Sequence, residues 1–288
     1  MSTHLRMLVL EDSARLGQEN MAIDERLLNG LGSGDLDWLV AEDVPQRDRL
    51  REWLSVSDGP LLAVRFYSWS EPTLSLGHFQ RIEQLGQAED TREHPSLRAL
   101  AWVQRKTGGG AILHDRELTY SIIVPSGTEP LASSKGHSEL LYRAVHQGVV
   151  EGLRALGLDA KFSESCTCSP KTVSKPNEPF LCFHRRTPVD VVLGGDQGQD
   201  HKVLGSAQRR VKTGLLQHGS FLIEKSLEYR SLLGVEDLGG RATPMGGGEG
   251  KSHWEDWFQQ RVFLAIGGLW RLPEGSFRLN LRERSVRI

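Results

Sequence analysis

The clearest helical period near the start of the chain lies in residues 19–31. Apolar side chains recur there at spacings that place them on one face of a helix, namely Met21, Ile23, Leu27, Leu28 and Leu31. Acidic residues stand in the first half of the segment, where they complement the positive end of the helix dipole. The pattern predicts an amphipathic helix and makes it the first element of the chain.

Two more amphipathic helices are predicted farther along. One covers residues 138–157 and ends at Gly157, with an apolar stripe formed by Leu141, Val145, Val149, Leu153 and Leu156. The other is a C-terminal helical segment at residues 251–271, with Trp254, Phe258, Val262, Ala265 and Leu269 near one face. Residues 241–252, which lead into it, have the glycine-rich composition of a linker.

Strand signals occupy much of the remaining apolar sequence. Residues 60–80 predict two strands, and residues 99–106 and 111–125 predict strands on either side of three consecutive glycines. Residues 188–210 predict a strand, a glycine-rich turn and a second strand, and residues 214–223 predict another. Because strands and helices do not alternate regularly, the pattern predicts an α+β fold rather than a doubly wound sheet.

The composition is that of an ordinary globular protein. Of 288 residues, 38% are hydrophobic and 25% are charged, which is enough apolar material for a buried core. The 35 Lys and Arg nearly balance the 37 Asp and Glu, so the overall charge demands neither nucleic acid nor an anionic membrane. The apolar run Met7 to Leu10 is too short for a signal peptide, and we expect a cytoplasmic protein.

Three cysteines, Cys166, Cys168 and Cys182, are an odd number for a disulfide framework. No Cys-x-x-Cys or His-x-x-x-His spacing is present, so no metal site is expected. We interpret Cys166 and Cys168 as ordinary thiols of a loop at residues 164–180, a segment without an apolar period. The glycines of "QRKTGGGAIL" fit neither the dinucleotide-binding fingerprint nor the P-loop, so they are poor evidence for a phosphate site.

Cys182 and Lys202 are the candidate reactive residues. Cys182 is followed by His184, Arg185 and Arg186, and nearby cations stabilise the thiolate that acts as a nucleophile. The same position also suits a small buried apolar side chain. A lone lysine on a hairpin is most often a solvated charge. The small residues that follow Lys202 leave room for a ligand against the backbone and favour a functional role, namely Gly205, Ser206 and Ala207.

Basic residues recur near these candidates. If the strands are adjacent, they form one positive patch, and otherwise they are separate solvated charges. The residues concerned are Arg105, Lys106, Arg185, Arg186, Arg209, Arg210 and Lys212.

Four segments together resemble the lipoate-protein ligase and octanoyltransferase superfamily, which shares its fold with biotin protein ligase. They are "NMAIDERLL", "PTLSLGHFQ", "QRKTGGGAILHDRELTYSIIVP" and "KVLGSAQRRVKTGLLQHGSFLI", within residues 19–225. The resemblance implies a mixed β-sheet flanked by helices and a single catalytic domain over residues 1–288. It also implies a tunnel for a medium-length acyl chain, lined by the glycine segment and the lysine.

Members of this superfamily use two chemistries. Ligases activate lipoate with ATP, whereas octanoyltransferases take octanoate from acyl carrier protein through a cysteine thioester. Cys182 resembles the nucleophile of the cysteine-dependent, LipM-type octanoyltransferases, and few residues follow position 225 for an accessory domain. We therefore expect an octanoyltransferase of lipoate biosynthesis. An ATP-dependent ligase, for which ATP and Mg would be needed, and a lipoyl amidotransferase remain alternatives.

The resemblance assigns roles to individual residues. Cys182 would carry the acyl group, and Lys202 would hydrogen-bond its carbonyl and favour the thiolate. The expected partners are octanoyl-acyl carrier protein and lipoyl-domain proteins such as glycine cleavage H protein, with no cofactor, nucleic acid or membrane. His114 is also expected to brace the glycine segment. The predicted substrate-binding residues are Arg105, Thr107, Gly108, Gly109, Gly110, His114, Gly205, Ser206 and Ala207.

Overall fold

The structure is a computed structural model. It describes residues 5–40, 46–55, 59–86, 88, 92, 94–133, 137–163, 179–195, 198–239, 251–270 and 276–281. Cys166, Cys168 and the linker predicted before residue 251 lie outside the described residues. None of the helices in the described ranges has both the length and the apolar character that a membrane span requires.

The described residues form helices that match the three strongest periodic patterns, together with two short helices that no pattern predicted. They are α1 (Gly17–Ser33), α2 (Arg47–Ser55), α3 (Ile82–Leu85), α4 (His137–Ala155) and α5 (Lys251–Leu269). Short 3-10 turns lie at Asp37–Val40, Pro95–Ala99 and Cys182–His184. The amphipathic helices predicted around residues 19–31, 138–157 and 251–271 are α1, α4 and α5, so these three predictions are confirmed.

The strands form two sheets. They are β1 (Arg6–Arg15), β2 (Leu61–Trp69), β3 (Thr73–Leu76), β4 (Ala101–Gln104), β5 (Ile112–His114), β6 (Glu117–Pro125), β7 (Ala160–Phe162), β8 (Val191–Gly194), β9 (Asp200–Arg210), β10 (Gly214–Leu222) and β11 (Phe277–Asn280). The larger sheet has eight strands in the order β11-β1-β2-β6-β10-β9-β8-β7, and the smaller has the order β4-β3-β5. Parallel pairs join β1 to its two neighbours, and the other pairs of the large sheet are antiparallel.

The predicted first element was wrong, because β1 precedes α1. Its apolar residues Met7 to Leu10 are buried on both faces of the sheet between β2 and β11, so they lack the alternation that marks a half-buried strand. Both β11 and α2 were also missed. The α2 sequence buries only Leu50, and a nine-residue helix with one buried position has little periodicity to detect.

The two faces of the large sheet have different chemistry. On one face, apolar side chains of β6 and β10 pack against α4 and α5, including Ile122, Phe221, Val149 and Phe258. On the other face, β6 alternately presents Glu117, Thr119 and Ser121, which are buried and hydrogen-bonded. The small sheet and α1 cover this polar face, and the candidate residues lie there. One domain over all 288 residues stays a prediction.

Candidate functional site

The glycine segment is wound around a buried guanidinium group. Arg105 ends the β4 region, and its Nη2 donates hydrogen bonds to the carbonyl oxygens of Gly108 at 3.0 Å and Gly110 at 2.6 Å. Its Nε donates to the Thr107 hydroxyl at 3.1 Å. Gly109 has a φ of 93°, a backbone conformation that favours glycine. Burial lowers the pKa of Arg105 to about 10, which leaves the group charged at neutral pH.

Cys182 is attached to the end of this segment by backbone hydrogen bonds. Its amide donates to the carbonyl of Ala111 at 2.6 Å, and the amide of Ala111 donates to Phe180 at 3.0 Å. A Cβ atom on Gly110 would lie 2.9 Å from Nε of Arg185 and 3.0 Å from the Cys182 nitrogen, so glycine at position 110 allows this close approach. Two segments that are about 70 residues apart in the sequence therefore form one surface, with a half-buried thiol at its edge.

Lys202 faces Cys182 from β9. Its Nζ lies 3.6 Å from the Cys182 sulfur and 2.9 Å from Oδ2 of Asp190. Both side chains of the ion pair are almost fully buried. The ammonium group is thus held between a carboxylate and the thiol.

A β-bulge makes room for the lysine. The register between β8 and β9 shifts between Val191 and Val192, which pair with Leu204 and Lys202. The extra residue in β9 brings positions 202 and 205 to the same face. A Cβ atom on Gly205 would lie 2.4 Å from Cε of Lys202, so the side chain lies directly over the glycine backbone.

Asp190 was missed by the sequence reasoning. It immediately precedes the apolar residues Val191 to Leu193 of β8, which pair with the strand that carries Lys202. One sequence signal could have identified Asp190: it directly precedes a predicted buried strand that neighbours the strand of the candidate lysine. Its Oδ2 also accepts a hydrogen bond from the amide of Thr187 at 2.7 Å. Its buried Oδ1 has no hydrogen-bond partner among the described residues.

Ser206 points away from Cys182, toward α4. Its hydroxyl donates to Nε2 of His146, while Nδ1 of that ring donates to the carbonyl of Val189. The Tyr120 hydroxyl completes the network at 2.7 Å. Of the three predicted residues 205–207, Gly205 and Ala207 therefore share the polar face, and Ser206 presents only its backbone there.

The stability of the protein is expected to fall between pH 6.5 and about pH 4 because of His146. Burial lowers the pKa of His146 from 6.5 to about 4, so the unfolded chain takes up a proton in this range and the folded chain does not. His146 does not change the free energy of unfolding well above pH 6.5, and near pH 4 it has lowered that free energy by about 3 kcal/mol. Urea unfolding at several pH values measures this slope, and His146→Gln should flatten it. An equal slope in the variant would contradict the assignment.

Thr107 and His114 are tied into buried polar networks behind the glycine segment. The Thr107 hydroxyl lies 2.6 Å from Nε2 of His218, and Nδ1 of His218 lies 3.9 Å from Asp24 of α1. His114 contacts Ser75 at 2.8 Å and Glu117 at 2.9 Å, and Ser75 also accepts from Arg105. His114 thus reaches the glycine segment through Ser75, and burial lowers the pKa of both rings. His218 and Asp24 were missed as site residues.

A narrow cavity lies on the polar face, between α1 and the small sheet. Its free volume is about 10 Å³, close to that of a single water molecule. The aromatic rings of Trp69 and His114 stack at 3.8 Å and form part of one wall. The described residues that line it are Met21, Tyr67, Trp69, Ser75, Ile112, His114, Thr119, His218 and Gly219. Ile112 directly follows Ala111, which is hydrogen-bonded to Cys182, but Cys182 itself is not among the lining residues.

The predicted single basic patch was wrong in part. Arg105 is 1% exposed and binds backbone carbonyls of its own segment, so it is unavailable to a partner. Charged residues are seldom fully buried, which made a surface position the natural expectation. Arg209 and Lys106 do lie together, since Arg209 donates to the Lys106 carbonyl at 2.9 Å.

The sequence is similar to proteins of known classification. Residues 17–238 match the family model of the lipoyl protein ligase A/B catalytic domain. The octanoyltransferase LipM of Geobacillus kaustophilus is 38% identical over 71% of this chain and 61% of that protein. The LipM of Staphylococcus aureus is 34% identical over 70% of this chain and 60% of that protein. The chain therefore spans about three-fifths of the length of these curated relatives.

Solved structures have the same fold. A bipartite lipoate protein ligase from Thermoplasma acidophilum has a TM-score of 0.53 at 18% identity, over 96% of this chain and 88% of that chain. A lipoate-protein ligase A bound with ATP has a TM-score of 0.52 at 20% identity, over 96% and 89% of the two chains. The predicted mixed-sheet α+β fold is confirmed.

Proposed function

Because the chain belongs to the lipoyl protein ligase A/B catalytic domain family, we propose that it is an acyltransferase that moves octanoate from acyl carrier protein to a lipoyl-domain lysine. The observation that carries this proposal is the placement of Lys202 Nζ 3.6 Å from the Cys182 sulfur, beside the glycine segment. A cysteine with an adjacent buried ammonium group suits covalent acyl transfer. The similarity to curated octanoyltransferases supports the same assignment.

In the first step, the Cys182 thiolate attacks the carbonyl carbon of the octanoyl thioester. A bond forms between the sulfur and this carbon, the carbon–sulfur bond to the carrier breaks, and the carrier leaves as a thiolate that takes a proton from solvent. The positive charge of Lys202 stabilises the thiolate before attack and the negative carbonyl oxygen during it. Asp190 holds the ammonium group in place through the 2.9 Å ion pair.

In the second step, the neutral amine of a lipoyl-domain lysine attacks the acyl-enzyme. A carbon–nitrogen bond forms, the bond to Cys182 breaks, and the amine proton is released as the amide forms. The thiolate is restored for the next cycle. Thioester exchange followed by amide formation needs no nucleotide, so the reaction as written uses neither ATP nor Mg.

The carbonyl end of the acyl chain is proposed to lie against the glycine segment beside Cys182. Gly108, Gly109 and Gly110 carry no side chains that would block the carbonyl end. On the same face of β9, Gly205 makes room for the Lys202 side chain, and Ala207 is a small residue. Arg105, Thr107 and His114 act behind this surface by fixing the glycine segment. The glycine segment, Gly205 and Ala207 are thus proposed to lie next to the substrate, whereas Arg105, Thr107 and His114 are proposed to hold the glycine segment in place.

The proposed partners are acidic carrier proteins and lipoyl domains, whose docking would be steered by positive surface charge such as Arg209 and Arg210. The cycle requires Cys182 as a reduced thiol, which a reducing compartment such as the cytoplasm maintains. Arg105 is not among these docking residues because its side chain is buried.

The test is the mass of the intact protein after mixing with octanoyl-acyl carrier protein in the absence of ATP. We expect an added octanoyl group that hydroxylamine removes, and its loss on addition of a lipoyl-domain protein that gains the same mass. Loading of free lipoate only when ATP is present would instead establish a ligase. Preference for a donor lipoyl-domain protein that already carries an octanoyl or lipoyl group on its lysine, over octanoyl-acyl carrier protein, would establish an amidotransferase. Either result would overturn the proposal.

A further inference from the structure

A large aromatic side chain stands in solvent next to the candidate site. Phe79 is 64% exposed and lies in residues 77–80, which follow β3 and which we call the rim loop. The ring of His78 contacts the Phe79 ring edge-on, with centroids 4.9 Å apart. Because single exposed apolar side chains are common on protein surfaces, the surroundings of this ring decide whether it has a role.

The rim loop is held in one conformation by the side chains of two glutamines. Gln80 accepts a hydrogen bond from the amide of Gly77 at 3.1 Å and donates one to the carbonyl of Phe180 at 3.0 Å. The side-chain amide of Gln104 lies within 3.2 Å of three backbone carbonyl oxygens of the loop. Phe79 is therefore held in place before a partner arrives, and such preorganisation lowers the entropy cost of binding.

The rim loop contacts both of the segments that form the site. The amide of His78 donates to the carbonyl of Thr107 at 2.8 Å. Gly77 approaches the glycine segment so closely that a Cβ atom on it would overlap the carbonyl oxygen of Gly109. The bond from the loop to the Phe180 carbonyl reaches the segment that carries the thiol. The exposed ring thus borders the surface on which the acyl transfer is proposed.

The second step of the proposed reaction limits how far the acceptor protein can be from Cys182. An acyl carrier presents its thioester on a long flexible arm, so the carrier itself can dock at a distance. The acceptor amine is instead at the end of a lysine side chain with a four-carbon stem. The backbone of the acceptor protein must therefore come close to the thioester and contact the surface around it.

The surroundings of the ring suit an acidic protein. Aromatic residues are enriched in protein interfaces and often contribute a large share of the binding free energy. Arg81 directly follows the rim loop and is exposed. On the other side, Arg209 donates to the backbone carbonyl of Lys106, whose side chain is paired with Glu25 at 3.2 Å. The two arginines place positive charge near the ring, which favours docking of a negatively charged partner.

We propose that Phe79 is a docking contact for the lipoyl-domain protein that supplies the acceptor lysine, an inference that rests on the proposed function. The ring becomes buried against the acceptor protein while the acceptor lysine reaches the thioester at Cys182. Because the carrier docks farther from the thiol, removal of the ring weakens the second step and leaves the first step unchanged.

The experiment measures the two steps separately. The octanoyl-enzyme is prepared with octanoyl-acyl carrier protein and separated from it, and glycine cleavage H protein is added at increasing concentration. Loss of the adduct in a single turnover is followed by intact mass for the wild type and for Phe79→Ala. We expect the concentration of H protein that gives half the maximal rate to rise about thirtyfold in the variant, as for an aromatic residue at the centre of an interface. Loading from the carrier and cleavage by hydroxylamine, which needs no docking, should keep their wild-type rates.

Two further variants serve as controls. Leu264→Ala truncates a leucine of α5 that is 58% exposed, and it should leave both steps unchanged. Phe79→Tyr keeps an aromatic ring and should change the half-maximal concentration by no more than about threefold. The affinity of the unloaded enzyme for H protein is measured by calorimetry for each variant, together with the melting temperature.

The outcomes are separable. An unchanged half-maximal concentration in the folded Phe79→Ala variant overturns the docking role and leaves the proposed function intact. Slower loading from the carrier or slower cleavage by hydroxylamine in this variant would assign the ring to the donor or to the thiol, and would also overturn the docking role. A wild type that forms no octanoyl adduct overturns the proposed function. The docking role is then supported by an affinity for H protein that falls about thirtyfold in Phe79→Ala, and refuted by an unchanged affinity.

Discussion

Replacing Cys182 with serine should abolish the hydroxylamine-sensitive octanoyl adduct, the largest effect expected for a single substitution in this protein. The change exchanges sulfur for oxygen with little alteration in size. A serine hydroxyl stays protonated at neutral pH, and the ammonium group 3.6 Å away stabilises an anion but cannot accept the proton. The backbone bonds to Ala111 do not involve the side chain, so the fold should be retained.

The two other cysteines provide the matched control. Cys166→Ser and Cys168→Ser combined should leave the adduct mass and its rate unchanged, because neither is required by the pairing of Cys182 with Lys202. Adduct mass and melting temperature are measured together for all variants. An adduct that survives in Cys182→Ser but disappears in the double variant would assign the nucleophile to the segment outside the described residues.

Short-range sequence patterns were sufficient for much of the fold. The hydrophobic periodicity predicted α1, α4 and α5 correctly because each helix buries one apolar stripe against the large sheet or against another helix. The alternation of Glu117, Thr119 and Ser121 was present in the sequence but was concealed by the apolar residues between them, which suggested a uniformly buried strand. This alternation marks the polar face on which the site is built.

The site depends on relations that local patterns do not encode. Arg105 is buried because three acceptors of its own segment and Ser75 replace the water around its guanidinium group. The pairing of Lys202 with Asp190 requires the β-bulge between β8 and β9, and a one-residue shift reverses which face each side chain occupies. Neither the register nor the bulge can be read from hydrophobic spacing, so the lysine was identified and its carboxylate partner was not.

Replacing Lys202 with methionine should reduce the rate of adduct formation by about a hundredfold to a thousandfold, the typical effect of removing one group that stabilises an oxyanion. Methionine keeps an unbranched chain of similar length over Gly205, so the space is filled while the charge is lost. The rate is measured from the time course of intact mass at saturating octanoyl-acyl carrier protein. Lys225→Met, at an exposed lysine that follows β10 and lies outside the basic patch, is the control and should react at the wild-type rate.

Loss of the ion pair must be separated from loss of catalysis, because Lys202→Met leaves the buried Asp190 carboxylate without its cation. Leaving one member of a buried pair uncompensated is strongly destabilising, by about 3 kcal/mol or more. The double variant Lys202→Met, Asp190→Asn removes both charges and should regain much of the melting temperature while remaining as slow as the single variant. If the double variant recovers the wild-type rate, the lysine acts through stability alone, and the role of its charge at the Cys182 sulfur is refuted.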